Sequence, residues 1–135
     1  DVTDGASNTM IIGETSDWAY DSSNAQKHID GGYYWSWMMS TADIGTGTGF
    51  FPAAGCSDGR IYNVMTVHYA PGTRTYGLTG ILEDHGPNNP LLSAHTGGVH
   101  VAIVDGSVRF ISNNVNMVTL RRMATRDDGG TLGDF

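Results

Sequence analysis

The chain has 135 residues, of which 39% are hydrophobic and only 16% are charged, and its formal net charge is −7. This length predicts one domain over residues 1–135, and the acidic balance excludes the basic surface that nucleic-acid binding requires. The single cysteine, Cys56, excludes an internal disulfide, and no apolar run has the length of a membrane span.

Asp-Gly pairs, which favour tight turns, separate short segments with the composition of β-strands. In chain order, strands are predicted within residues 10–15, 33–39 and 61–69. The clearest element is a hairpin over residues 99–112 that turns at Asp105-Gly106. A two-residue loop would pair Val104 with Ser107. The core-facing side chains of the hairpin would then be Val101, Ile103, Val108 and Phe110.

A short helix is predicted after the hairpin. Asn116 is a suitable N-cap, and Met117, Leu120 and Ala124 recur at helical spacing. Gly129 or Gly130 would end this helix. The predicted fold class is therefore mainly β, an antiparallel sheet with long ordered loops and one short C-terminal helix.

Three segments carry a resemblance to a known family. Residues 93–112 read SAHTGGVHVAIVDGSVRFIS, in which His95 is followed by nine residues and then by Asp105-Gly106. This resembles the signature of prepilin-type proteins in a domain family of unknown function that is abundant in planctomycete-type bacteria. The opening segment TDGASNT, followed by Gly-Glu, resembles another part of that family, and its matching residues are Asp4, Gly5, Ser7 and Asn8. The C-terminal segment TLRRMATRDDG resembles a third.

The resemblance implies the globular head of a pilin-like or pseudopilin-like protein. Family members carry a leader and a long apolar helix ahead of this region, so we expect the chain to be the C-terminal part of a longer protein. The implied location is the cell surface or an extracellular filament. The expected partners are copies of the chain or other pilin-like subunits, with no membrane contact by these residues themselves.

His95 and Asp105 are the first candidate functional pair. They suit a metal site or acid–base chemistry. However, a strand of about 3.3 Å per residue separates them, which favours structural roles. Asp105 and Gly106 would turn the hairpin, and His95 would lie near Asn116 and hold a loop in place.

A second candidate site is a cluster of histidines and carboxylates within eighteen residues, which would suit zinc or calcium. A metal-dependent hydrolase is the enzymatic alternative that this cluster leaves open, although its spacings match no short zinc motif. Its members are Glu83, Asp84, His85, His95 and His100.

A third candidate is the acidic C-terminal loop that contains Asp127, Asp128 and Asp134. Carboxylates among glycines suit calcium, and some pseudopilins bind calcium in a C-terminal loop. Calcium is therefore the candidate cofactor here, and a solvated helix terminus is the alternative.

The aromatic side chains Tyr33, Trp35 and Trp37 share one face of a predicted strand. Such a face favours a place in the core, then a subunit interface, and then a sugar-stacking surface. The last of these makes a carbohydrate-binding module another alternative. No Gly-x-Ser-x-Gly nucleophile motif occurs. The sequence therefore favours a structural subunit over an enzyme.

Overall fold

Short strands dominate the fold. The computed structural model describes residues 1–15, 18–29, 38–40, 64–81, 88–127, 129 and 132. Its strands are β1 Met10–Gly13, β2 Trp18–Tyr20, β3 Gln26–His28, β4 Met38–Ser40, β5 Val64–Thr66, β6 Gly98–Ile103 and β7 Val108–Ser112, and its helix is α1 Met117–Met123. The predicted class, mainly β with one short helix near the C-terminus, is confirmed for these residues.

The strands form two sheets. The larger sheet has the order β5-β4-β1-β6-β7, and all neighbouring strands are antiparallel except β4 and β5, which are parallel. Strands β2 and β3 form a separate antiparallel pair. The predicted strands at residues 10–15 and 61–69 contain β1 and β5. Within the predicted strand at 33–39, β4 begins at Met38, and residues 33–37 lie outside the described ranges.

The main core lies between the larger sheet and α1. Val99, Val101 and Ile103 alternate along β6 on one face of the sheet, and all three are buried. This period of two is expected for a strand with one face packed on a core. Leu120 and Met123 of α1 are buried in the same cluster. The hydrophobic face of the helix therefore covers the inner face of the sheet.

The hairpin of β6 and β7 forms where it was predicted, but its register differs by one residue. Val99 pairs with Ile111, and the loop has three residues, because the Ile103 N–H donates to the Ser107 carbonyl over 2.9 Å. Gly106 ends the loop with φ of 87°, as in hairpins whose last loop residue is left-handed. The Asp105 carboxylate accepts the Ser107 N–H over 2.9 Å and fixes this loop.

The shifted register corrects the predicted core of the hairpin. A slip of one residue moves every side chain of a strand to the other face. Val108 and Phe110 were predicted to be buried, yet they are 65% and 49% exposed. Ile111, which the predicted register leaves out of the core, is 1% exposed. The predictions for Val101 and Ile103 are confirmed.

The helix begins as predicted and ends earlier. The Asn116 side chain accepts the Val118 N–H over 2.8 Å, which is the expected N-cap bond. The last turn closes at Ala124, whose N–H donates to carbonyls of the preceding turn. The Thr125 hydroxyl then donates to the Arg121 carbonyl over 2.9 Å. These bonds satisfy the end of the helix before Gly129 is reached.

The small sheet of β2 and β3 was not predicted, because β3 contains only polar residues, in the sequence Gln-Lys-His. Asp21 organises its loop. The Asp21 carboxylate accepts hydrogen bonds from the Ser23 hydroxyl over 2.6 Å and from the Ala25 N–H over 3.0 Å. Asn24 adopts a positive φ of 62° in the same loop, a conformation that asparagine tolerates better than most residues.

We expect Asp21→Asn to destabilise this hairpin at neutral pH but not in acid. The Ser23 hydroxyl and the Ala25 N–H lower the pKa of the Asp21 carboxyl to about 2. A lowered pKa stabilises the folded state above the ordinary carboxyl range, and the stabilisation is lost as the pH falls toward 2. Thermal melts of both proteins from pH 7 to pH 2 should therefore show a difference in melting temperature that vanishes in acid. A difference that stays constant across this range would contradict the role of the Asp21 charge.

Candidate functional site

Three side chains that are distant in the sequence converge beside the end of β1. The Glu14 carboxylate lies 3.5 Å from Nε2 of His95 and 3.5 Å from Nδ1 of His100. The two imidazole rings meet edge to face, with their centroids 4.7 Å apart. One ligand atom from each residue lies within 4.8 Å of the other two. We call Glu14, His95 and His100 the Glu–His–His cluster.

Backbone pairing of β1 with β6 places Glu14 next to His100. The Glu14 N–H donates to the His100 carbonyl over 3.0 Å, and the His100 N–H donates to the Glu14 carboxylate over 2.9 Å. His100 alternates with the buried Val99 and Val101, so its side chain leaves the sheet on the outer face. The strand pairing itself therefore fixes two members of the cluster.

The segment before β6 positions His95. Leu92 pairs with Thr15 in a parallel bridge, and the Leu92 N–H donates to the Glu14 carbonyl over 3.2 Å. The hydroxyl oxygen of the buried Ser93 then accepts the His95 N–H over 3.1 Å. The Ser93 hydroxyl also lies beside the Glu14 carboxylate and lowers its pKa. Ser93 therefore connects the backbone of one cluster member to the side chain of another.

The electrostatics of the cluster keep Glu14 ionised. Partial burial raises the pKa of the Glu14 carboxyl, but hydrogen bonds from the His100 N–H and the Ser93 hydroxyl outweigh this effect. The nearby imidazoles act in the same direction, and the net pKa lies below the usual value. The side chains of Glu14, His95 and His100 are 26%, 55% and 44% exposed. The cluster therefore places an ionised carboxylate beside two imidazole rings, and solvent can reach all three side chains.

The structure brings together part of the histidine set predicted from the sequence. His95 and His100 are neighbours, whereas Glu83, Asp84 and His85 lie outside the described residues. Glu14 follows the opening family segment in the sequence and was not predicted to be a possible ligand. Only the pairing of β1 with β6 brings it to the histidines. The ring of His95 lies beside Glu14 and His100, whereas the sequence placed it near Asn116.

His95 and Asp105 stand at opposite ends of β6, as the sequence predicted. The Asp105 carboxylate accepts the Ser107 N–H, and hydrogen bonds from Ser107 lower the pKa of the Asp105 carboxyl. Gly106 has the positive φ that this loop needs. The geometry thus gives Asp105 and Gly106 roles in the turn and does not join Asp105 to His95.

The opening segment connects both ends of the described chain. Asp4 accepts the Gly129 N–H through its carboxylate over 3.0 Å, and the Asn8 side chain donates to the Asp4 carbonyl over 3.2 Å. Gly5 has φ of 95°, and Ser7 is exposed in the same turn region. The Asp105 N–H donates to the Ala6 carbonyl over 3.0 Å. Hydrogen bonds therefore hold this segment against the hairpin loop and the residues after α1.

The family comparison covers most of the chain. A model of a protein family of unknown function, DUF1559, matches residues 1–117. The chain belongs to the DUF1559 family. All three members of the Glu–His–His cluster and the whole β6–β7 hairpin fall within the matched residues. No curated protein and no solved structure matches the chain significantly.

The other predicted sites fall wholly or partly outside the described ranges. Of the acidic loop, Asp127 is described. Its carboxylate lies 3.8 Å from the Arg126 guanidinium, and both side chains are well exposed. The residues that fall outside are Asp128, Asp134, Tyr33, Trp35 and Trp37. Calcium binding and sugar binding therefore stay predictions for this DUF1559 domain.

The outer face of the larger sheet carries solvent-accessible apolar side chains on β1, β6 and β7. Cross-strand pairing aligns Ile12 with Ala102 and Ala102 with Val108, while His100 pairs with Phe110. Ile12, Val108 and Phe110 are 36%, 65% and 49% exposed. We call these five residues the outer face. Within the described ranges, no helix is both long and apolar enough to cross a membrane.

Proposed function

We propose that this DUF1559 chain is the globular head of a pilin-like or pseudopilin-like structural subunit at the cell surface or in an extracellular filament. Its function would be to make contacts with copies of itself or with related subunits. The observation that carries the proposal is the exposed apolar outer face. Exposed apolar patches on soluble domains commonly mark sites of protein association.

Two further features support association through this face. Four of its five side chains are apolar, the ionised Glu14 lies at its border beside His100, and charged residues make up only 16% of the whole chain. Charged residues are depleted at the centres of protein interfaces. In addition, β7 is the last strand in the order of the larger sheet in the described part of the chain, and strands at the edge of a sheet are common places for pairing between chains.

The similarity of the His95 to Gly106 segment to the prepilin-type signature supports the choice of a pilin-like role. The hydrogen bonds of Asp4 to the residues after α1 also fit a head whose opening segment is held firmly. Hydrogen bonds that hold a segment against the rest of a domain resist local fraying, which a subunit under load in a filament requires.

A cysteine placed on the outer face tests the association. We expect Val108→Cys, in a Cys56→Ser background that leaves one thiol per chain, to give cross-linked dimers with a short bis-maleimide reagent. Val108 is 65% exposed, so the change should not disturb the core. The matched control is Ser22→Cys in the same background, since Ser22 is exposed in the loop of the small sheet. Equal cross-linking of both variants, or none with either, would count against association through this face.

A further inference from the structure

The geometry of the Glu–His–His cluster points to a binding site for one divalent transition-metal ion, and we propose that zinc is the ion it takes. The ligands would be the Glu14 carboxylate, Nε2 of His95 and Nδ1 of His100. This inference goes beyond the proposed structural role, because a metal could bind whether or not copies of the chain associate.

The distances suit a small tetrahedral ion. Ligands at about 2.0–2.1 Å from zinc lie roughly 3.3 Å from one another when the coordination is tetrahedral. Oε1 of Glu14 lies 3.5 Å from Nε2 of His95, and Oε2 of Glu14 lies 3.5 Å from Nδ1 of His100. One ligand atom from each residue lies within 4.8 Å of the other two. The three ligand atoms would move closer to one another to coordinate zinc, and the exposed His95 side chain has room to move.

The donor chemistry selects the class of metal. Two imidazole nitrogens and one carboxylate oxygen are ligands that zinc and similar transition metals accept. Calcium requires six to eight oxygen ligands, and magnesium requires near-octahedral oxygen coordination. The cluster offers one carboxylate, so it discriminates against both of these hard cations.

The surroundings hold the ligands in place before any ion arrives. The Glu14 carboxylate accepts the His100 N–H over 2.9 Å, and the Ser93 hydroxyl accepts the His95 N–H over 3.1 Å. The His100 ring packs edge to face against Phe110, with their centroids 5.2 Å apart. Such outer contacts orient metal ligands and usually alter affinity by about 10–100-fold when they are removed.

The exposure of the site determines what else reaches the ion. Because His95 and His100 are 55% and 44% exposed, a metal bound by three protein ligands would keep a position open to water or to an external donor. That external donor could come from a second subunit, since His100 belongs to the outer face. The present chain supplies the three ligands by itself.

Titration of zinc into the metal-free chain tests the inference. We expect one equivalent of zinc to bind, and cobalt to give the visible absorption bands of a tetrahedral site. Calcium should compete poorly with either ion. Each of the variants E14Q, H95Q and H100Q should weaken zinc binding by at least about tenfold. No zinc binding, or binding that none of these three changes weakens, would overturn the inference.

Two further histidine variants make the test specific. H28Q removes an exposed histidine of β3 in the other sheet, and H85Q removes the histidine that the sequence grouped with Glu83 and Asp84. Both should bind zinc as tightly as the parent chain. Binding that is lost in H85Q but kept in E14Q would assign the metal to the set predicted from the sequence and would overturn the role of Glu14.

Folding of the variants is checked by thermal melts of the metal-free proteins. Gln at position 14 keeps an oxygen that can accept the His100 N–H, so E14Q should fold. His95 precedes β6 and is largely exposed, so H95Q should melt at the same temperature as the parent. If E14Q unfolds, H95Q alone still decides the question, because a folded H95Q that binds zinc normally would contradict the site.

Discussion

Leu120→Ala should lower the free energy of unfolding by about 2–5 kcal/mol, the range measured when a large buried aliphatic side chain is truncated to alanine. Leu120 is completely buried and belongs to the cluster that includes Val99, Val101 and Met123. Its truncation would leave a cavity between α1 and the inner face of the larger sheet. A loss of this size is a large fraction of the 5–15 kcal/mol that stabilises a typical domain.

The matched control for Leu120→Ala is Val118→Ala in the same helix. Val118 is 57% exposed, so its replacement should change the free energy of unfolding by no more than about 0.5 kcal/mol. Equilibrium urea unfolding followed by circular dichroism measures both, with EDTA present so that bound metal does not contribute. Equal and small effects of the two changes would show that α1 does not pack against the sheet as described.

The local patterns that predicted the fold correctly are those whose information lies within a few residues. The alternation that places Val101 and Ile103 on one side identified a strand with one buried face, and Asn116 identified the start of the helix. The Asp-Gly pair at 105–106 located a turn. In each case the physical cause is local, since backbone geometry and one side chain decide the outcome.

The register of the hairpin was not predictable from the Asp-Gly pair alone. Two-residue and three-residue loops both use Asp and Gly, and they differ in the side of the strand that each later residue occupies. The two-residue loop placed the apolar side chains Val108 and Phe110 in the core, and their composition was consistent with that wrong register. In the structure these two side chains form part of the outer face, so the feature that misled the prediction is the one that supports association.

The candidate metal site was predictable only in part. Its two histidines are five residues apart and were recognised as a pair in a possible metal set. Glu14 and His100, whose hydrogen bond spans 86 positions, meet through the pairing of β1 with β6. No local periodicity or residue spacing in the sequence predicts that Glu14 contacts His100. The parallel bridge of Thr15 with Leu92 and the position of Ser93 are likewise consequences of the tertiary fold.

Gly98→Ala should cost about 2–3 kcal/mol and should also weaken zinc binding. A Cβ atom at Gly98 would collide with the Ile111 carbonyl and would lie 2.7 Å from the Phe110 ring. Overpacking of this kind typically costs about 1–3 kcal/mol. The upper part of that range applies because the new Cβ atom would clash with the Ile111 carbonyl, which cannot move as freely as a side chain. The Phe110 ring contacts His100, so its displacement would disturb a proposed metal ligand.

Alanine substitutions at two other glycines serve as controls that separate this steric effect from backbone strain. Gly77 has open space around its Cβ position and no positive φ, so Gly77→Ala should leave both stability and zinc affinity close to those of the parent chain. Gly97 also has open space but a φ of +85°, so Gly97→Ala should cost about 1–2 kcal/mol through backbone strain alone. Urea unfolding and zinc titration of all three variants measure these effects. If Gly98→Ala resembled Gly77→Ala in both measurements, the close packing of β7 and Phe110 over Gly98 would be wrong, and with it the support that Phe110 gives to His100.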